Sequence, residues 1–184
     1  MNQNTPEIET ILELAGERSL ESTLFNFAHS YARAGELSVK ASIENRDADF
    51  FAPAIMCKSF AVELLLKFFI ALRYPSEKTY SQIKDAGEDL RGHNYQPLFE
   101  RVQEEYQQKI ANSFSSIAGR KTGPDDFNLI LREIGDDSYV KWRYIYEKDK
   151  AGIQHFNVQL FDNVLEALGK AAEFERKRLN SSKA

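Results

Sequence analysis

One cysteine, five prolines and nine glycines in 184 residues leave this chain short of the residues that build cross-linked or turn-rich folds. A lone Cys57 excludes an internal disulfide and a cysteine-rich zinc site. Scarce proline and glycine favour long helices over a β fold with many turns. Positive charge is also not in excess: 24 basic against 28 acidic residues give a formal charge of −4. No global basic field is therefore available to hold nucleic acid, and any such contact has to be a local patch.

Several chemical signatures are absent as well. There is no HExxH motif and no Cys/His ligand spacing, so no metal is expected. There is no Gly-x-Ser-x-Gly elbow and no Cys/His nucleophile arrangement. Gly119-Arg120-Lys121-Thr122-Gly123 lacks the spacing and the preceding strand of a phosphate-binding P-loop, and reads as a mobile basic surface loop. No cofactor is indicated. The opening residues MNQNTPEIET lack the basic and apolar regions of a signal peptide. Lys58, Glu63, Lys67 and Arg73 interrupt the one run long enough to span a bilayer. The expectation is a core helix in a cytoplasmic protein, with no membrane contact.

No stretch sustains the alternation of a strand, whereas helical spacing of apolar residues recurs throughout. The fold class expected is all-α: an up-and-down helical bundle of four main helices with short accessory helices. The main helices are predicted at 19–44, 49–73, 94–113 and 154–178, within a single domain covering 1–184. Residues 1–16 form an N-terminal accessory helix, opened by Thr5-Pro6, and 179–184 a frayed tail. In the first main helix the buried stripe is predicted as Leu20, Leu24, Phe27, Ala28, Tyr31 and Ala34. Asn94 is expected to cap the 94–113 helix, with Leu98, Val102, Tyr106 and Ile110 on one face. Asp125 caps a short helix carrying Phe127, Ile130, Leu131 and Ile134. The last helix shows Phe156, Leu160, Val164, Leu165, Leu168, Ala172 and Phe174.

The most informative segment is Pro53 to Tyr74. It is apolar nearly all round, as a central bundle helix would be, yet it carries Glu63 and Lys67 at i and i+4. Buried charges must find partners. Glu63 is either a base or ligand anchor in a polar pocket, or half of a structural pair with Lys67, with Arg143 as a further partner. Arg143 is expected within hydrogen-bond reach of Glu63. Cys57, on the same helix, is expected to be an inert buried thiol.

His93, just before the 94–113 helix, either holds the loop through a side-chain hydrogen bond or acts as acid or base. Trp142-Arg143-Tyr144 interleaves aromatics with a guanidinium. It can stack bases and bind phosphate, or plug one end of the bundle while Arg143 pairs with a buried acid. The catalytic candidates are thus His93, Arg143 and Glu63. The binding candidates are Glu63, Lys67, His93, Trp142, Arg143 and Tyr144.

Three of these elements together resemble the HEPN-domain proteins: Phe60-Ala-Val-Glu63-Leu-Leu-Leu-Lys67, then Gly92-His93-Asn94 with Leu98, then Trp142-Arg143-Tyr144. The resemblance covers about residues 19–178. It implies a helical bundle, a homodimeric assembly, and a place in bacterial defence, toxin–antitoxin or RNA-processing systems. Many members are metal-independent ribonucleases with an Arg-x4–6-His motif at the dimer interface. Here Arg91 stands two residues before His93, Arg18 eleven before His29 and Arg143 twelve before His155, so the motif is missing. Non-catalytic members partner minimal nucleotidyltransferases. The resemblance therefore implies a module that binds nucleotide, RNA or a partner protein. The alternatives are a ribonuclease with diverged residues and a homodimeric scaffold.

Overall fold

The computed structural model describes residues 19–75, 77, 79–135 and 157–181. Among them are seven α-helices, one 3-10 turn and no strand. The expected helix at 1–16, the connector bearing Trp142, Arg143 and Tyr144, and residues 182–184 lie outside the described residues.

Helix α1 (Leu20–Asn45) ends where Arg46 takes a left-handed conformation, φ 54°, and its amide turns back to Ile43 O. The 3-10 turn Ala48–Phe50 follows, capped by the Asp47 carboxylate, which accepts from the Asp49 amide at 2.9 Å. Helix α2 (Phe51–Ala71) places Pro53 in its first turn, where a missing N–H costs nothing. Three successive turns, Leu72 to Tyr74, close it before Pro75. Helix α3 (Tyr80–Asp85) opens on a reciprocal cap between Thr79 and Gln82. Helices α4 (Tyr95–Glu100), α5 (Glu104–Ala118), α6 (Pro124–Glu133) and α7 (Val158–Ser181) complete the chain as described.

Helix α2 is the centre. It packs along α1, and against α4 and α7; α5 lies on α7, and α6 on α4 and α5. Fourteen of its residues are buried, which explains its nearly continuous apolar sequence. No helix among the described residues is long and apolar enough to cross a membrane.

Several boundaries and faces differ from the sequence expectation. The buried side of α1 is Glu21, Leu24, Phe25, Ala28 and Gly35, whereas Phe27 is 50% exposed and Tyr31 is also exposed. The cause is a close crossing with α2. A Cβ on Gly35 would stand 2.6 Å from Lys58 Cγ and 3.0 Å from the Ala54 carbonyl oxygen, so only small residues fit along that line. Phe25 is the aromatic that enters the core, 5.7 Å from the Phe68 ring and covered by the Arg176 guanidinium at 4.4 Å.

The single helix expected at 94–113 is two, broken at Arg101–Gln103. There the Gln107 side chain donates to Phe99 O at 2.8 Å and Val102 O at 3.0 Å, satisfying carbonyls that a continuous helix would have used. The apolar stripe survives the break, because Leu98, Val102, Tyr106 and Ile110 are all buried. Helix α6 is capped at Gly123, not at Asp125. Pro124 takes the first helical position and the Asp126 carboxylate accepts from the Gly123 amide at 3.2 Å. In α7 the exposed residue is Phe174 and the buried one Glu175, which bonds Lys109 and Arg178 at 2.7 Å each. The helix runs on to Ser181, past the point where fraying was expected. In the loop at 119–123, Gly119, Arg120 and Lys121 lie on the surface as expected, while the Ser115 hydroxyl accepts from the amide of buried Thr122 at 2.9 Å.

Candidate functional site

Glu63 lies on α2 with its side chain 1% exposed, and both its oxygens are engaged. Lys67, one turn on, donates to Oε1 at 2.7 Å. His93 approaches Oε2 through Nδ1 at 3.0 Å. The three residues form a seam from a buried carboxylate to the surface, because Lys67 is 13% exposed and the His93 side chain 52%. Ser59, a turn before Glu63, continues the same face. Its carbonyl accepts from the Tyr95 hydroxyl at 3.0 Å, and its buried hydroxyl oxygen has no hydrogen-bond partner among the described residues.

The loop that delivers His93 is held by ion pairs. Glu88 receives Arg101 at 2.7 Å and Arg73 at 3.7 Å. Asp89 receives the Arg91 side chain at 2.7 Å, the Arg91 amide at 2.9 Å and the Tyr80 hydroxyl at 2.6 Å. Arg101 also donates to the Asp89 carbonyl. The Arg91 side chain, and then the Tyr80 hydroxyl, hold the Asp89 carboxyl well below the usual carboxylate range. Asp89 in turn pushes the Tyr80 hydroxyl up. Gly92 then turns the chain at φ +104°, a conformation that suits glycine, and His93 follows.

This arrangement can do two things chemically. A carboxylate behind one imidazole nitrogen fixes the ring plane. The half-exposed side chain is then held in a fixed orientation at the surface end of the seam.

Of the residues singled out from sequence, Glu63, Lys67 and His93 meet in one place. Trp142, Arg143 and Tyr144, and with them the expected Glu63–Arg143 contact, lie outside the described residues. Cys57 is half-buried rather than buried, and burial pushes its thiol up. His29 pairs with Glu173 at 3.6 Å on another face. Among the described residues no group of three or more His, Cys, Asp or Glu side chains is placed to hold a metal ion.

Two polar nodes escaped sequence reasoning. One is Glu175 with Lys109 and Arg178; the other is Lys58, whose ammonium sits 2.6 Å from Asp162. Lys58 signalled itself as a charge on an apolar helix, but nothing local pointed to a partner 104 residues away. No protein-family model, curated protein or solved structure matches the chain.

Proposed function

We propose that the chain is a HEPN-like module, a bundle of four main helices, that binds nucleotide or RNA through a phosphate contact at His93 and does not cleave it. The observation that carries this reading is the convergence of Glu63, Lys67 and His93, with a buried carboxylate anchoring a half-exposed imidazole. Glu63 and Lys67 offset each other's charge, so the seam does not itself repel a phosphate at its surface end. Arg91, the nearest arginine in sequence, is committed to Asp89, which argues against its serving a cleavage transition state. The HEPN resemblance extends the proposal to a homodimer that pairs with a minimal nucleotidyltransferase.

One feature favours a second reading, a metal-independent ribonuclease. The Glu63–His93 contact is the orientation a general acid–base histidine needs. Calorimetric titration with ATP and with a short single-stranded RNA, run beside gel analysis of the RNA, separates the two. The binding module predicts saturable binding that His93→Gln weakens about tenfold, the loss of roughly one charge-assisted bond, with the RNA intact. Cleavage abolished by His93→Gln would move the assignment to the ribonuclease. Binding indifferent to His93 would remove both.

A further inference from the structure

Lys58 leaves α2 about 140° around the helix from Glu63, five residues on, so its surroundings are independent of the seam at His93. It lines a groove of about 860 Å³ between α1 and α7. That volume falls within the roughly 300–1,000 Å³ typical of small-molecule sites. Ala28, Ala32, Leu65 and Leu165 supply an apolar lining, and Arg33 and Lys170 line the same groove as further cations.

The Lys58 side chain is 7% exposed, and its ammonium has one partner among the described residues, Asp162 at 2.6 Å. An ammonium carries three donors and is costly to bury without matching acceptors. Its counter-ion is not buried with it: Asp162 is 41% exposed and lies on the opposite wall. The groove's other acids on that wall are already paired, Glu166 with Lys170 at 2.6 Å and Glu173 with His29 at 3.6 Å. Glu36 lies on the α1 side and disfavours a ligand extending that way.

We infer that this groove binds a small organic phosphate monoester, its apolar body against Ala32, Leu65 and Leu165 and its phosphate on Lys58 and Arg33 in place of the Asp162 carboxylate. Asp162 holds the site closed electrostatically in the absence of ligand. A phosphate dianion gains from both cations and from the low exposure of Lys58, where charge-assisted bonds are strongest.

The test is two-dimensional NMR of the whole chain titrated with phenyl phosphate, with benzoate and inorganic phosphate as separate arms. The proposal predicts saturable shifts at Ala32, Lys58 and Leu165 with phenyl phosphate. Benzoate should bind severalfold more weakly, for its single charge, and inorganic phosphate severalfold more weakly, for its missing apolar body. Asp162→Asn should tighten phenyl phosphate severalfold, since the competing carboxylate is gone. The double variant Lys58→Met with Asp162→Asn removes the buried charge along with its partner; it should keep the wild-type helical circular dichroism and abolish binding. Shifts absent from both wild type and Asp162→Asn, or retained in the double variant, would overturn the inference.

Discussion

The Glu63 carboxylate accepts from Lys67 on its own helix and meets His93 Nδ1 at 3.0 Å, thirty residues along the chain. One buried acid thereby ties the central helix to the loop that enters α4. Because the His93 side chain is half exposed, the same contact that stabilises the fold also orients a group at the surface.

Replacing Glu63 should show that double role. Glu63→Gln keeps the shape but loses the charge facing Lys67, and should lower unfolding stability by about 1.5–3 kcal/mol, the value of hydrogen bonds to charged groups. Urea denaturation reads this directly. Pairing it with Lys67→Met should cost less than the sum of the single changes, because the two residues share one interaction.

Gly35 sits at the crossing of α1 and α2, and Gly35→Ala should destabilise even though alanine is the better helix former. The added methyl meets the Ala54 carbonyl oxygen at 3.0 Å as well as the Lys58 stem. Overpacking of this kind costs about 1–3 kcal/mol. A variant as stable as wild type in thermal unfolding would mean the helices separate freely at this point.

Acid should loosen the loop before His93. The Asp89 carboxyl is held below its ordinary value of 3.8 when folded, by Arg91 and then Tyr80. Its contribution is therefore complete above that value and fades as pH falls through it and below. Hydrogen exchange at the Arg91 amide should accelerate, relative to the intrinsic rate, only as pH falls below 3.8 in wild type. In Asp89→Asn the protection should start lower and change little with pH.

Glu175 repeats the motif of a buried acid between two cations, with 0% exposure. Glu175→Gln should cost about 1.5–3 kcal/mol and leave the His93 seam untouched, because the node joins α5 to α7 instead. Unchanged His93 ring resonances in that variant are the check.

The central helix and its two charges were readable in sequence because a carboxylate and an ammonium stand out on an apolar segment. His93 was readable because it precedes a helix start in a glycine-containing turn. What stayed hidden depended on tertiary contacts. Phe25 and Phe27 look alike on α1, and only the crossing at Gly35 decides which of them turns inward. The break between α4 and α5 rests on Gln107 capping carbonyls and on Arg101 reaching Glu88, thirteen residues upstream, and neither is visible in apolar periodicity. The Lys58–Asp162 pair joins helices far apart in sequence, so a charge could be seen but not its partner.

The most direct test of the account is the His93 ring itself, followed by carbon–proton NMR while a short single-stranded RNA is added. A phosphate contact at this residue predicts a saturable shift of the His93 ring resonances that Glu63→Gln weakens or removes. Ring resonances that stay still while RNA binds elsewhere, or that move equally in Glu63→Gln, would contradict it.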